Sequence, residues 1–430
     1  MKRLASWMAV SGLSGVLGIG AIAAAQAAPP ASSPSSYLYV WAGEMNVAAK
    51  FPPGSAHSKG ARRGRDFLAV IDVAPESPRY GQLVRMLPVG IPTQMPHHTN
   101  YEMPADGMLF ANDFDADHTF IFNLKEPLHP TVKASFGDAG PYSHPHSFQL
   151  LPNGNTLATF QQKGSDDSAA GALVELDPQG RVVRASASAD QKVDGFIRPY
   201  SLAVVPSLDR VVTSSADMYS KGVSHVIQVW RLSDLKLLKT VVLPGSDRTP
   251  LVGLNSAEPR VLADGRTVLV STFLCGLYRV DGLAGTDPSA SLVYDFGGRD
   301  CSVPVVAGHY WIEALQSSHR IASLDVSDPS HPVEVGSLML GPSDLPHWLA
   351  LEPGGNRIVI TGYGGLFYRL LIARVDMQTG KLGLDESFRE PGAKEPGFSF
   401  DRRWPDGWNG PAIPHGAVFS RPEKVSQASN

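Results

Sequence analysis

Apolar and polar residues alternate along most of this chain in short runs, and the runs come in pairs. Each pair consists of an apolar strand, an Asp, a turn and a second apolar strand, which is the pattern of an antiparallel β-hairpin. Two clear examples are FLAVIDVAPESPRYGQLVRMLPVG and RIASLDVSDPSHPVEVGSLMLG. Copies recur at intervals of about fifty residues, beginning at Phe67, Thr119, Ala172, Val226, Gly276, Arg320 and Leu371.

A second hairpin unit lies between successive copies of the first. It reads as a Pro, an apolar strand, a turn that contains Pro or Gly, and another apolar strand. Its copies begin at or near His97, Pro145, Pro199, Pro259, Pro304, Pro346 and Pro414. The copies near Pro259 and Pro304 are degenerate, and the last copy, PHGAVFS, is cut short.

Two hairpins in each period make four strands, which is the content of a β-propeller blade. Because a blade cannot bury both of its faces alone, neighbouring blades must stack. We therefore predict an all-β fold over residues 37–420, a seven-bladed β-propeller with four-stranded antiparallel blades. The strand over 37–42 is expected to pair with the strand that His415 begins, so that both chain ends close one blade. A stack of two or three sandwiches is the alternative, but the even spacing and the short last unit favour the ring.

The composition agrees with many short strands. The chain contains 42 Gly and 35 Pro, the residues that most often form turns. Charged residues make up 18% of the chain, and the formal net charge is -4 with no basic run. Nucleic acid is therefore not an expected partner.

Residues 1–27 have the form of a secretory signal peptide. Lys2 and Arg3 precede an apolar stretch rich in Gly and Ala, and residues 25–27 have the A-x-A form of a cleavage site. A Pro/Ser linker is expected over 28–36 and a disordered tail over 421–430. We therefore expect a periplasmic or secreted protein that leaves the membrane once the signal is removed. The alternatives are an uncleaved membrane anchor and a lipid-modified form, for which a suitable cysteine is lacking here.

The chain contains two cysteines, Cys275 and Cys301. In an oxidising compartment a pair of cysteines is expected to form a disulfide. A free thiol close to a metal ion is the alternative.

One position of the inner hairpin unit holds a histidine in four copies. In three copies it lies six residues before the turn proline. In the shortened last copy it is the residue directly after the first proline, as it also is in the copies that begin at Pro145 and Pro346. The four histidines are His98, His146, His347 and His415, and Tyr200 takes the same position in another copy. Because inner strands of a propeller line the central channel and these four copies are neighbours in a closed ring, their imidazoles are expected to meet at one height on the axis.

Four imidazoles without a carboxylate favour copper or iron over calcium or magnesium. We predict copper, with iron as the alternative. His97 and His144 flank the axial positions and are further possible ligands, although adjacent strand residues point in opposite directions, so His97 and His98 are not both expected to face the channel. Glu258 and Tyr200 are candidates for residues that support the ligands. Alternatively, the repeated histidines only pack the blades together.

At these residues the chain resembles the selenium-binding protein family, which includes methanethiol oxidases. The resemblance rests on DFLAVIDVAPESPRYGQLVRMLPV, PHHTNYE, SHPHSFQLLPNGNTLATF, IASLDVSDPSHPVEVGSLMLG and PHGAVF. It implies a propeller in which histidines hold copper and methanethiol is oxidised with oxygen to formaldehyde, hydrogen sulfide and hydrogen peroxide. The ligands that it implies are His98 or His97, His146, His347 and His415. The chain departs from the family pattern at His144 and His146, which are two residues apart instead of three, and in NYEMPADG, which replaces a Cys-rich segment.

Together these features predict an exported copper-dependent oxidase that acts on a small thiol or a related small molecule. An iron-dependent oxygenase on the same fold is one alternative. A non-enzymatic periplasmic propeller that binds a ligand, a metal or a protein is another. The substrate and the oligomeric state stay open at this point.

Overall fold

The computed structural model describes residues 35–44, 66–89, 96–166, 168–193, 197–218, 222–247, 249–362 and 368–422. The chain separates into two units, Met1–Ala31 and Ser32–Asn430, and all described residues belong to the second. The predicted signal peptide therefore lies outside the described residues, as do the predicted linker apart from 35–36 and the predicted tail apart from 421–422. Within the described part of the chain, no helix is long and apolar enough to cross a membrane.

The described residues form thirty β-strands in seven antiparallel sheets, which we call blades 1 to 7. Blade 1 begins with β1 (Tyr37–Glu44), β2 (Asp66–Asp72) and β3 (Leu83–Pro88). Blade 2 contains β4 (Pro96–Thr99), β5 (Met108–Asp113), β6 (His118–Asn123) and β7 (Thr131–Phe136). Blade 3 contains β8 (Tyr142–Leu150), β9 (Thr156–Lys163), β10 (Ala172–Leu176) and β11 (Val182–Ala187). Blade 4 contains β12 (Pro199–Val205), β13 (Arg210–Ser215), β14 (Val226–Arg231) and β15 (Lys236–Val242).

The remaining blades repeat the same order. Blade 5 contains β16 (Ser256–Val261), β17 (Val268–Thr272), β18 (Gly276–Asp281) and β19 (Ser289–Asp295). Blade 6 contains β20 (Val305–Ala307), β21 (Tyr310–Leu315), β22 (Arg320–Asp325) and β23 (Val333–Met339). Blade 7 contains β24 (Pro346–Leu351), β25 (Arg357–Gly362), β26 (Arg369–Val375) and β27 (Leu382–Leu384), and β28 (Phe398–Ser399) pairs with β26. The last strands are β29 (Asp401–Arg403) and β30 (Asn409–Phe419), and single-turn 3-10 helices cover Pro206–Leu208 and Gln316–Ser318.

Both ends of the described chain close blade 1, whose strand order is β29-β30-β1-β2-β3. β30 pairs with β1 in antiparallel register, with Leu38 opposite Phe419 and Val40 opposite Ala417. The predicted seven-bladed all-β propeller is therefore confirmed. The predicted strand closure is present as well, because the short last inner unit lacks the partner strand that β1 supplies.

Each blade buries both faces between its neighbours. Along β1, Leu38 and Val40 belong to the core shared with blade 7, which contains Trp348. Tyr39 and Trp41 belong to the core shared with blade 2. Because successive side chains of a strand point to opposite faces of the sheet, β1 contributes to two cores. The same alternation supplies all seven interfaces between blades.

The innermost strand of most blades carries one extra residue relative to its partner strand. In β8, Pro145 pairs with Phe160 but Phe148 pairs with Ala158, so His146 and Ser147 together oppose one residue. Comparable shifts occur in β4, β12, β16, β24 and β30. Such β-bulges bend the strand and redirect side chains, which positions the axial residues.

Polar side chains of the second strand hold these bulges in place. The backbone N–H of Ser147 donates to Oγ1 of Thr159, at 3.1 Å. The same hydroxyl donates to the carbonyl of Tyr200 in blade 4, at 2.8 Å. Asn112 likewise connects two blades. Its Oδ1 accepts from the backbone N–H of His98 in blade 2 at 2.6 Å, and its Nδ2 donates to the Pro145 carbonyl in blade 3. Blades 2 and 3 therefore each fix their own axial residues and those of the next blade.

Candidate metal centre

Five histidine rings from blades 1, 2, 3 and 7 come together on the axis. All are buried, with exposed fractions between 0% and 7%. The ring centroids lie 4.5 Å apart for His97 and His98, 4.2 Å for His98 and His146, 4.1 Å for His97 and His415, and 4.6 Å for His347 and His415. Nitrogen atoms of His97, His98 and His415 all lie within 4.8 Å of one another. The structure thus brings together the four histidines selected from the repeat, and adds His97.

The bulge of β4 shows that the predicted register is wrong by one residue in this blade. Pro96 of β4 opposes Asp113 as Pro145 of β8 opposes Phe160, so His97 is the residue equivalent to His146. His98 is equivalent to Ser147. The count from the turn proline failed because Pro104 follows His97 by seven residues, whereas the turn proline follows His146, Tyr200 and His347 by six.

His97 and His98 nevertheless both reach the axial cluster. Their rings are stacked with only 8° between the planes. The expectation that adjacent strand residues face opposite ways is therefore wrong here, because the strand is bulged between Pro96 and Thr99.

His144 lies apart from this cluster. Its backbone has a φ of 59°, and its backbone N–H donates to Oδ1 of Asp117. Its ring packs on Phe114 at 5.4 Å, and Phe114 in turn contacts His146 at 5.9 Å. The left-handed backbone conformation turns the His144 side chain away from the face that His146 occupies, so the structure places His144 behind Phe114.

Burial keeps the clustered imidazoles neutral. Desolvation lowers the pKa of His146 to about 3 and that of His347 to about 4. For His97, His98 and His415, burial first and the neighbouring imidazoles second hold the pKa well below the usual value. Neutral imidazole is the form that binds a metal ion, so the cluster does not need to lose protons to do so.

Ser147 orients two of the rings. Its hydroxyl lies 2.9 Å from Nδ1 of His98 and 3.1 Å from Nδ1 of His146. Nε2 of each ring is buried and has no hydrogen-bond partner among the described residues. A buried polar nitrogen without a partner is costly, and a bound metal ion would satisfy both.

The Tyr101 side chain connects blade 2 to blades 3, 4 and 5. Its hydroxyl lies 3.0 Å from the Ser147 hydroxyl and 2.7 Å from that of Ser201, and it donates to Oε2 of Glu258 at 2.9 Å. Its ring stacks on Trp348 at 5.2 Å. The residue follows the tandem histidines closely, but no other inner unit carries an aromatic residue at this place, so the repeat could not reveal its role.

Glu258 and Tyr200 both lie beside the cluster. The Tyr200 ring is 3.8 Å from that of His146 and contacts it directly. Glu258 is connected to the histidines through Tyr101, and Nη1 of Arg260 donates to its Oε2 at 2.8 Å. Burial raises the pKa of Glu258, and Arg260 opposes that rise.

A cavity of about 370 Å³ lies on the other side of Tyr101. Tyr101 and Arg260 line it, and the guanidinium of Arg260 packs on the Tyr101 ring, 3.8 Å from its centroid. Further lining residues are Met103, Leu202 and Arg421. Tyr101 therefore stands between the cavity and the histidine cluster.

Cys275 and Cys301 are joined by a disulfide that links the turn between β17 and β18 to the segment between β19 and β20. Both residues are buried, and they pack on Leu315 and Ala322. The disulfide joins segments of blades 5 and 6, whereas the clustered histidines belong to blades 7, 1, 2 and 3. These cysteines therefore do not contribute thiolates to the cluster.

The donor set fits a transition metal. It consists of imidazole nitrogens that are buried and neutral, and Nε2 of His98 and of His146 has no hydrogen-bond partner in the described part of the chain. No carboxylate belongs to the group of mutually close ligand atoms found among the described residues. Such a nitrogen-rich set suits copper or iron better than calcium or magnesium.

Comparison with known proteins places the chain near one enzyme. No protein-family model matches it. It is 25% identical over 362 residues to methanethiol oxidase from Hyphomicrobium sp, covering 76% of this chain and 75% of that protein. The expected resemblance to the selenium-binding protein and methanethiol oxidase family is therefore confirmed as a distant relationship.

Solved structures agree on the fold. A hypothetical selenium-binding protein from Sulfolobus tokodaii superposes with a TM-score of 0.67 at 16% identity, over 92% of this chain and 94% of that one. The periplasmic gluconolactonase PpgL from Pseudomonas aeruginosa gives a TM-score of 0.56 at 14% identity, over 80% and 94%. At these identities the likeness concerns the propeller alone.

Proposed function

We propose that this protein is an oxidase that uses dioxygen to oxidise a small thiol, with copper held by the axial histidines. The observation that carries the proposal is the cluster of five buried imidazoles, which come from blades far apart in sequence but adjacent in the ring. The distant relationship to a protein named methanethiol oxidase supports the same reaction class.

The proposed reaction converts one primary thiol, one dioxygen and one water into one aldehyde, one hydrogen sulfide and one hydrogen peroxide. The carbon bonded to sulfur loses two electrons and its C–S bond breaks, while dioxygen gains two electrons and two protons. Copper, when bound, would supply electron transfer between the thiol and dioxygen. His97, His98, His146, His347 and His415 would hold it.

The chain's own groups prepare the site for this chemistry. The Ser147 hydroxyl holds Nδ1 of His98 and of His146, which presents both Nε2 atoms to the axis. Tyr101 lies between the cluster and the cavity, and its ring is packed against Trp348 and the guanidinium of Arg260. Its hydroxyl binds to Glu258 and completes a hydrogen-bonded connection from the imidazoles to a buried carboxyl group.

The first test is metal content. The protein is purified without affinity histidines, and its copper and iron are measured beside those of the double variant His146→Ala/His347→Ala. We expect close to one copper in the native protein and almost none in the variant. Oxygen uptake with methanethiol, with formaldehyde and hydrogen sulfide as products, then tests the reaction.

The matched control is His129→Ala, which removes a histidine whose side chain is 70% exposed. It should keep its copper, and circular dichroism should show that all variants are folded. Metal retained in the double variant would contradict the assignment of the ligands. Iron in place of copper would favour the oxygenase alternative, and no metal after reconstitution would favour a binding propeller.

We also propose that the protein is exported to the periplasm or beyond. The signal-like residues 1–27 support this, and so does the disulfide between Cys275 and Cys301, since disulfides persist in oxidising compartments. N-terminal sequencing of the protein recovered from a periplasmic fraction tests the proposal. A mature N-terminus near residue 28 is expected, and an intact Met1 in the cytoplasmic fraction would contradict it.

A further inference from the structure

We propose that the cavity beside Tyr101 is the substrate site of the proposed oxidase, and that it takes a thiol whose short apolar chain ends in an anionic group. This inference rests on the proposed function for its reaction, but its binding test does not. It differs from the expectation of methanethiol, which has neither a longer chain nor a charge.

The size of the cavity argues for a molecule larger than methanethiol. Its volume is about 370 Å³, whereas one water molecule takes up about 30 Å³ of liquid. A ligand with two heavy atoms would therefore leave most of the space to water. The volume lies within the range of about 300 to 1,000 Å³ that is typical of small-molecule sites.

One part of the cavity wall is apolar. Met103, Phe148 and Leu202 are buried, and they line it together with Leu150 and Val261. These side chains come from the segment after β4 and from β8, β12 and β16, so the cavity lies where blades 2 to 5 meet the axis. Such walls suit a short hydrocarbon chain.

The charged residues that line the cavity are Arg260, Arg421 and the exposed Glu102, so arginines outnumber carboxylates two to one. Arg260 lines the cavity with its guanidinium held in place by Glu258 and the Pro304 carbonyl, at 2.8 and 3.2 Å. Arg421, which lies shortly after β30, donates to the Met103 carbonyl at 3.3 Å. Within the part of the chain that the structure describes, Arg421 forms no ion pair with a carboxylate. Arg260 is neutralised by Glu258, so Arg421 is the cation available for an anionic ligand group.

One end of the cavity is close to the histidines, and Arg421 lies on another part of its wall. Tyr101 forms the end that faces the histidines, since its hydroxyl lies 3.5 Å from Nδ1 of His98. Arg421 forms part of the wall that the cavity shares with a second cavity of about 480 Å³. A thiol bound with its anionic group at Arg421 would direct its sulfur toward Tyr101 and the histidines.

Isothermal titration calorimetry on the metal-free full-length protein tests this inference without any turnover. The probes are 3-mercaptopropanoate, 1-propanethiol and 2-aminoethanethiol, which differ mainly in the charge at the end of the chain. We expect 3-mercaptopropanoate to bind most tightly, and Arg421→Gln to weaken it by about ten-fold because one charge-assisted hydrogen bond is lost. Binding of 1-propanethiol should not change in that variant.

Two further variants complete the design. Arg403→Gln removes an exposed arginine that does not line the cavity and should bind all probes as the native protein does. Ala105→Trp adds a large side chain at an exposed position of the cavity wall and should abolish binding of every probe. Equal binding of 3-mercaptopropanoate to native protein and Arg421→Gln, or no binding at all, would overturn the inference even if the copper centre is present.

Discussion

Nδ1 of His98 lies 2.9 Å from the hydroxyl of Ser147, which belongs to the neighbouring blade. The two residues occupy equivalent positions in the bulges of β4 and β8. One repeated position therefore supplies a possible ligand in one blade and the group that orients it in the next. The contact joins the geometry of the metal centre to the packing of adjacent blades.

This contact predicts the effect of Ser147→Ala. Without the hydroxyl, Nδ1 of His98 and of His146 lose a partner and the rings are no longer held in one tautomer. We expect the affinity for copper to fall about ten- to a hundred-fold, measured by competition with a chromogenic chelator. Ser271→Ala is the control, since it removes a buried hydroxyl from blade 5 that has no hydrogen-bond partner in the described chain. If both variants bind copper as tightly as the native protein, Ser147 has no role in orienting the ligands.

The corrected register of blade 2 predicts that His97 contributes to metal binding as much as His146 does. The two residues hold equivalent positions, and their rings lie 4.8 Å apart. His97→Ala and His146→Ala should therefore reduce copper content after dialysis to a similar extent. His144→Ala should leave it unchanged, because Phe114 lies between His144 and the cluster. A loss of copper in His144→Ala and none in His97→Ala would reverse this assignment.

The disulfide predicts a stability difference that does not depend on the metal. Its cysteines are separated by 26 residues, and closing a loop of that size in the unfolded chain contributes about 3.5 kcal/mol to the free energy of unfolding. The double variant Cys275→Ala/Cys301→Ala should lose about that amount in urea unfolding. A reductant should destabilise the native protein but not the variant. An effect of the reductant on the variant would show that the loss has another source.

Asp117 predicts a pH dependence of stability. Burial raises its pKa from 3.8 to about 7, the backbone N–H of His144 opposes the rise, and the carboxyl of Asp138 adds to it. Between about pH 4 and 7 the folded state keeps a proton on Asp117 that the unfolded state has released. The stability that this proton contributes is therefore lost as the pH rises from about 4 through 7. We expect the urea concentration at the unfolding midpoint to change less with pH between about 4 and 7 in Asp117→Asn than in the native protein.

Asn is a suitable replacement because it tolerates the φ of 51° at this position. Asp106→Asn, at an exposed position in a neighbouring turn of blade 2, is the matched control and should keep the native pH profile. Profiles for Asp117→Asn that match those of the native protein would show that Asp117 titrates with its ordinary pKa.

The sequence by itself determined the propeller, the number of blades and their closure. These features depend on the alternation of apolar and polar residues and on a period that repeats along the chain. Each hairpin, such as those that begin at Phe67 and Arg320, can therefore be recognised from its own residues. The same repeat identified His146, His347 and His415, because they follow a proline at equivalent places in three inner units.

Only the tertiary structure decided the contents of the axis. A bulge in β4 brings His97 and His98 to one cluster, which strand periodicity forbids, and a left-handed backbone at His144 removes that residue. Tyr101 joins residues from blades 3, 4 and 5, although nothing in its own unit marks it. The physical reason is that repeat patterns report which side of a strand a residue occupies, whereas bulges, backbone handedness and contacts between blades are set when the ring closes.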